Sequence, residues 1–349
     1  MLAAAIASQA SGNTSVFTGY TTDQSAAGAI TSVPFTTGSQ SFPTAPSPLG
    51  EILLPNVNLG LVTPFNIDLW IIDANHFVVT DFIDALSSSP VIIGGYLTAQ
   101  PASPSLSGTL AFVESGATTA AQPQVVGGIV TCGSTGILDV VPLAGSGLNN
   151  QAVSATCSGP SNGRGLIGIA GAGSSGVSQL AAYPTLDQGI YLIELDGGSA
   201  GTSGPSGAGV AYQQTLPSPI PSSALAGNYG SSFSSSTPTG SEILSGQVVA
   251  DGSSALSGTV DVNSFDTTAA PPSANPSPGV SLTGSSFTSS DNGRFLLTLT
   301  LTPAGGQPTP PVNVLHPACY MVDANTCLLL GLDATAPGTG ILQLQSTGL

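Results

Sequence analysis

The chain contains no lysine, and apart from two histidines its only cationic residues are Arg164 and Arg294, set against 18 aspartates and glutamates. The formal net charge is −16. Two arginines cannot neutralise a run of phosphates, so nucleic-acid binding is excluded, and anionic membrane surfaces fall with it. Charged residues of every kind are 6% of the chain, against about a quarter in an average soluble protein. With Glu, Lys, Arg and Gln this scarce, long amphipathic helices lack their raw material. No apolar run of about 18 residues exists, so no membrane span is expected. Aromatics are 5%, too sparse for a sugar-stacking platform, and the single tryptophan, Trp70, reads as a core residue. No cysteine pair has the C-x-x-C spacing of a zinc or redox site, and the two histidines cannot complete a metal shell. No cofactor or metal is expected.

What is present is apolar and turn-rich. Hydrophobic residues are 41% of the 349, enough surface to bury, and this rules out charge-driven disorder. Gly (45) and Pro (28) punctuate the whole length. The opening Met1–Ala10 is small and apolar without basic residues. It reads either as the tail of a secretory signal or as an apolar strand of the mature protein. Four cysteines fall two by two, Cys132 with Cys157 and Cys319 with Cys327. Their even count in a lysine-free, Ser/Thr-rich chain points to disulfides and an oxidising compartment, with buried free thiols as the alternative. Cys319 and Cys327 flank Met321–Asn325, which reads as a hairpin turn that lets the sulfurs meet across a ladder.

Internal repetition is the strongest signal. Both arginines follow an Asn-Gly turn between apolar runs, Asn162-Gly163-Arg164 and Asn292-Gly293-Arg294. Around them Leu106-Ser107-Gly108-Thr109 matches Leu225-Ala226-Gly227-Asn228, and Leu138-Asp139-Val140 matches Val260-Asp261-Val262. A divergent earlier copy carries Ile72-Asp73-Ala74-Asn75, akin to Val322-Asp323-Ala324-Asn325, but lacks the arginine turn. Three units follow: 1–100, with an N-terminal strand that can act as donor or anchor, 101–215, and 216–349. Pro-rich joints at Pro101–Pro104 and Pro217–Pro221 separate them. In the third unit β-type runs occupy Leu225–Phe233, Ile243–Ala250, Leu256–Asn263, Val280–Thr288, Phe295–Thr302, Val312–Met321, Cys327–Leu332 and Gly338–Gln345. The second unit gives the same count. The expected fold is all-β, three tandem antiparallel units of about eight short strands each, as a meander barrel or flattened sandwich. An immunoglobulin-like sandwich is the competitor.

The order L-x-G-x-Y, G-x-V-x-A-D-G, V-D-V-N, D-N-G-R, L-L-L-x-x-D and G-x-L-x-x-Q, clearest in Leu225–Gln345, resembles secreted tandem β-repeat proteins of acidobacterial-type soil bacteria. That resemblance implies export and an all-β fold, and it brings no catalytic residues with it.

Candidate chemistry is thin. Gly159–Gly163 and Gly197–Gly201 match G-x-S-x-G, yet that pattern needs a strand-turn-helix setting and arises by chance in so Gly- and Ser-rich a chain. His76 and His316 are the only imidazoles, and neither recurs in the second unit, so both read as surface histidines. Asp251-Gly252 and Asp291-Asn292-Gly293 read as turn formers rather than calcium ligands. Asp139 and Asp261 read as structural acceptors, and each arginine as pairing within its own unit. The expectation is therefore not an enzyme but an extracellular or cell-surface structural subunit. It associates with itself through strand edges that no lysine guards, into a filament, layer or matrix. The alternative is a monomeric binding module for a glycan or small ligand, and a glycan or the cell surface is the further partner class.

Overall fold

A computed structural model describes the backbone of residues 2–11, 14–26, 29–34, 40–43, 51–57, 65–81 and 94–345, less 119, 121, 162, 174–176, 197–205, 218 and 306–309. Side chains are described for 69–79 and 95–345 with the same exceptions and Asp291. Met1, Asn162 and the Gly197–Gly201 motif thus lie outside the described residues.

The protein is all-β. The first eight strands are β1 (Leu2–Ser11), β2 (Thr14–Ala26), β3 (Ala29–Pro34), β4 (Gln40–Pro43), β5 (Glu51–Val57), β6 (Phe65–Ile71), β7 (His76–Asp81) and β8 (Gly94–Thr98). They form two open four-stranded sheets, one with β2 at its centre and one in the order β5-β6-β7-β8. The apolar N-terminal segment is a strand of this chain, β1, paired antiparallel with β2.

The next eight are β9 (Thr109–Ala117), β10 (Pro123–Thr131), β11 (Ser134–Pro142), β12 (Leu148–Ser161), β13 (Arg164–Ala170), β14 (Gln179–Pro184), β15 (Gly189–Glu194) and β16 (Ser206–Gln213). Each pairs with its chain neighbours, and β16 returns to pair with β9, so the meander closes into a barrel. A second barrel follows from β17 (Ala226–Thr237), β18 (Gly240–Asp251), β19 (Ala255–Asp266), β20 (Ser273–Ser289), β21 (Arg294–Thr302), β22 (Val314–Leu315), β23 (Pro317–Met321), β24 (Thr326–Gly331) and β25 (Gly338–Leu344). Here β25 pairs with β17 and β20 with β21, while the two-residue β22 lies beside β21. The run expected over Val312–Met321 breaks at His316, because Pro317 has no N–H to continue a ladder. The sandwich competitor is set aside: consecutive neighbours in a closed ring leave no place for Greek-key crossovers.

Each barrel has its own apolar interior, one centred on Leu110, Phe112, Leu138, Ile167 and Leu192, the other on Tyr229, Leu244, Val260, Phe287 and Leu329. A third cluster belongs to neither interior. It joins the outer faces of β9–β11 (Ala111, Val113, Val125, Ile129, Ile137, Val141) to the outer faces of β23 and β24 (Ala318, Tyr320, Leu328, Leu330). This seam explains a sequence contrast. In β10, Val125-Val126-Gly127-Gly128-Ile129-Val130 is apolar without alternation because both of its faces are covered. In β19, Leu256–Asp266 alternates buried with exposed residues because only its inner face is. The backbone ties the seam as well, with the Ala144 N–H donating to the Ala334 carbonyl at 2.7 Å.

Both cysteine pairs form disulfides, Cys132–Cys157 and Cys319–Cys327. Cys319 lies opposite Leu329 and Cys327 opposite Met321, so the second bridge runs diagonally across its hairpin rather than straight across. The Asn-Gly turns adopt the left-handed backbone expected of them, with φ of 57° at Asn292, 88° at Gly293 and 79° at Gly163.

Closure of the first barrel depends on Gly209 in β16. A Cβ there would lie 2.0 Å from the Val113 carbonyl oxygen of β9, and backbone cannot yield as a side chain can. Gly209→Ala is therefore expected to lower the melting temperature of the first barrel and raise amide exchange along β9 and β16. Unchanged exchange in those two strands would contradict this account.

Candidate functional site

The polar chemistry of the described residues lies in two places, the seam and the loop-bearing ends of the barrel interiors. At the seam, Asp139 stands on the outer face of β11 and is fully buried. The register of β11 against β12 shifts between Leu138 and Val140, and Asn150 there adopts φ 53°. This irregularity folds the chain around the carboxylate, and the Asn150 N–H donates to Asp139 Oδ1 at 2.6 Å. From the second barrel, Arg294 Nε donates to Asp139 Oδ2 at 2.8 Å and an Arg294 Nη to Oδ1 at 2.9 Å. The same guanidinium donates to Asn149 Oδ1 at 2.8 Å, and the Tyr320 hydroxyl donates to Asp139 Oδ2. Burial, followed by the adjacent carboxylate, holds the Tyr320 phenol well above the usual tyrosine range, so it remains a donor.

The arginine expected to pair within its own unit thus pairs across units instead. The correction has a structural cause: Arg294 opens β21 directly opposite Tyr320 on the seam face, where Asp139 is the buried carboxylate on the facing barrel. Gly127 makes the approach possible, since a Cβ at that position would sit 2.9 Å from the Tyr320 ring. Asp261, the sequence match of Asp139, keeps only the local half of this arrangement. It accepts the Gly279 N–H at 2.8 Å, where Gly279 has φ 66° at a similar irregularity between β19 and β20.

The second polar place is the end of the first barrel that carries the loops after β9, β11, β13 and β15. Glu114 on β9 and Glu194 on β15 point inward there and are buried. Neither oxygen of Glu114 nor Oε1 of Glu194 has a hydrogen-bond partner among the described residues. Between them runs β16 with Gly207, whose missing Cβ would lie 3.0 Å from Glu194 Oε2 and 3.3 Å from Glu114 Oε1. Burial first, then the charges of Glu194 and Asp196, raise the Glu114 carboxyl well above the usual range. Burial and Asp196 push Glu194 up to about 8. At neutral pH this pair therefore holds at least one proton. In the second barrel, Glu242 on β18 is likewise buried and points into the matching end. Burial pushes it up to about 7, softened by the nearby Val312 amide, which falls short of a hydrogen bond to either oxygen.

These carboxylates and Tyr320 were not among the sequence candidates. The available signal was an acid inside an otherwise apolar strand, as in Leu110-Ala111-Phe112-Val113-Glu114 and Ile190-Tyr191-Leu192-Ile193-Glu194. Of the residues that were singled out, Asp139 and Arg294 meet at the seam and the others lie elsewhere. His76 Nδ1 contacts Asp73 at 2.8 Å and His316 Nδ1 contacts Asp333 at 3.0 Å, and both are partly exposed surface histidines. Trp70, expected in the core, is 39% exposed, because its face of the β5–β8 sheet is the opposite one from the buried Leu69. Asp251 forms a tight turn by accepting the N–H groups of Ser253, Ser254 and Ala255. No group of three or more metal-ligating side chains assembles among the described residues.

No protein-family model and no curated protein matches the chain. Among solved structures it is similar to the crystal structure of kievitone hydratase from Nectria haematococca, at 10% identity and a TM-score of 0.19, over 71% of this chain and 91% of that one. A likeness of that size carries no argument about this chain.

Two outcomes are expected. Removing one partner of the seam, by Asp139→Ala or Arg294→Ala, strands a buried charge and should cost about 3–5 kcal/mol. Replacing both with apolar residues of similar volume, Asp139→Leu with Arg294→Met, should recover much of that loss, as a denaturation double-mutant cycle will show. Additive losses would mean the two residues do not act together. The second outcome concerns pH. Glu194 and Glu242 have raised values, so their contribution is complete below the unfolded value of about 4.5 and is lost as pH rises through about 8 and about 7; Glu114, raised by burial and by the charges of Glu194 and Asp196, acts in the same direction. Asp251 and Asp266 are lowered, first by side-chain and then by backbone hydrogen bonds, so their contribution exists above 3.8 and is lost as pH falls below it. Melting temperature should therefore peak in weak acid and fall towards pH 9, and Glu194→Gln should flatten the alkaline limb. A flat profile from pH 5 to 9 would refute the assignment.

Proposed function

We propose that the chain is an extracellular structural subunit that associates with copies of itself through strand edges, and that the edges belong to its first 98 residues. The observation that carries this reading is barrel closure. Strands β9–β16 and β17–β25 pair in rings, which removes the unguarded edges that a lysine-free β-protein otherwise exposes. Among the described residues the open sheets β1–β4 and β5–β8 retain theirs. Two disulfides and the resemblance to exported β-repeat proteins support an oxidising, extracellular setting. No helix among the described residues is long and apolar enough to cross a membrane.

The distal face of the second barrel points the same way. The face of β9–β11 that seats the seam is apolar, whereas the matching face of β17–β19 is mostly polar, with Ser232, Ser245, Gln247, Thr259 and Asn263 exposed around two exposed apolar residues, Ile243 and Phe265. Stacked repeat units commonly end in a unit with such a polar outer face. Further stacking on that side is therefore disfavoured, and self-association falls to the other end. The alternative, a monomeric binding module, rests on one feature: a shallow groove beside the seam that brings the His316–Asp333 pair near Ser286 and Thr298.

Electron microscopy of native material should show filaments or sheets, and a chain lacking residues 1–98 should be monodisperse. Neutralising the 18 acids removes self-repulsion, and at most two arginine ion pairs exist to be lost. Light scattering should accordingly show assembly persisting or tightening down to about pH 3–4. Monodisperse native protein, or dissociation in mild acid, would overturn the proposal.

A further inference from the structure

The seam between the barrels has a counterpart one unit earlier. In the second barrel Arg294 lies opposite Tyr320 on the neighbouring strand. In the first barrel Gly165 lies opposite Ala182, so Arg164 and Tyr183, one step further along, are opposite each other in the same way. The agreement continues outward. Tyr183 pairs with Tyr191 as Tyr320 pairs with Leu328. The outer-face cluster Ala181, Tyr183, Tyr191 and Leu195 corresponds position for position to Ala318, Tyr320, Leu328 and Leu332, which form one side of the seam. Ala181 and Tyr183 are buried although they point away from the interior of their barrel. Strand β14 accordingly shows the same unbroken burial as β23, the pattern of a strand covered on both faces.

The chain that enters each barrel is fastened at the same turn. Gln214, leaving the first barrel, donates its side-chain amide to the Asn292 carbonyl at 3.3 Å, beside Arg294. Gln100, leaving the first unit, donates to the Gly163 carbonyl at 2.9 Å, beside Arg164. Thr215 donates its N–H to Val322 in the turn between β23 and β24, and Ala99 accepts the N–H of Leu186 in the equivalent turn between β14 and β15. Thr98 adds a hydroxyl contact with Tyr191 at 3.0 Å. The arginine and tyrosine, their register, the outer-face positions and the turns that the tether reaches repeat, with Tyr191 in place of Leu328 and with the tethers bonded to neighbouring atoms of those turns.

We propose that Arg164 and Tyr183 form a second joint of the same design, clasping a carboxylate supplied by residues 1–98 as Arg294 and Tyr320 clasp Asp139. The occupant is the preceding unit of this same chain. Arg164 is half-buried, its forked guanidinium matches a carboxylate, and the apolar face beside it needs an apolar cover; the tether at Thr98, Ala99 and Gln100 delivers the first unit to that spot. Five acids of that segment are candidates, Asp23, Glu51, Asp68, Asp81 and Asp84, since Asp73 is engaged by His76. The joints then have one polarity: every barrel presents an arginine–tyrosine face to the unit before it, and the first barrel presents an aspartate face to the unit after it.

The test uses the full chain under native conditions, with limited proteolysis across residues 99–105 as the readout of joint opening. Arg164→Ala should speed cleavage there by roughly tenfold or more, and Tyr183→Phe, which keeps the ring and removes the donor, by less. Arg164→Lys keeps the charge without the fork and covers the case in which the alanine variant fails to fold. Each of the five acids is then changed to its amide. One of them should reproduce the Arg164→Ala rate and add nothing when combined with it, while the other four add independently. Cleavage unaffected by Arg164→Ala and Arg164→Lys, or additivity at all five acids, overturns the proposal. So does a change in oligomeric state with unaltered cleavage, which would make the occupant a second copy of the chain.

Discussion

The buried Asp139 carboxylate is the constraint around which the two barrels are arranged. A carboxylate taken wholly out of water is tolerated only when its lone pairs are met, and here four donors meet them: a backbone amide of its own barrel, two guanidinium nitrogens and a phenol from the next. Each donor imposes a condition. The amide requires the irregularity at Asn150, the phenol requires a glycine at 127, and the guanidinium requires the turn that sets Arg294 at the head of β21. Apolar packing along the seam contributes area but little direction. The ion pair supplies direction, because a forked guanidinium and a carboxylate fit in few relative orientations.

Two strategies for carboxylates coexist in a chain with almost no cations. On the surface, Asp251, Asp266 and Asp73 are held by backbone and hydroxyl donors in turns, which keeps them ionised and fixes the loops. In the barrel ends, Glu114, Glu194 and Glu242 have few donors and no cation, and burial keeps them protonated over much of the neutral range. Only Asp139 is both buried and ion-paired among the described carboxylates. The scarcity of lysine and arginine thus distributes the acids among three environments: hydrogen-bonded turns, buried barrel ends and the ion-paired seam.

The two barrels meet at a directional joint. A barrel closes its own hydrogen bonds, so neighbours cannot be joined by strand pairing and must be joined by faces. The faces available are the outer ones, and these are apolar where covered and mostly polar on β17–β19, where Ile243 and Phe265 are exposed among polar neighbours. Between the two barrels this construction places a buried, forked ion pair inside an apolar seam.

The amino-acid sequence by itself determined the all-β class, the turns, most strand positions of the third unit (the run Val312–Met321 excepted) and the pairing partners of the cysteines. Those features depend on local chemistry: alternation, Asn-Gly turns, and half-cystines close along the chain. It also held, unread, the difference between continuous and alternating strands, as in Val125–Val130 against Leu256–Asp266, which marks the faces buried twice. Only the tertiary structure decided that the meanders close, because closure rests on the pairing of β16 with β9 and of β25 with β17, residues about a hundred positions apart. Only it showed that Arg294 serves Asp139, 155 residues away, since a charged group's partner is chosen by what lies beside it once water is excluded, and sequence spacing carries no record of that.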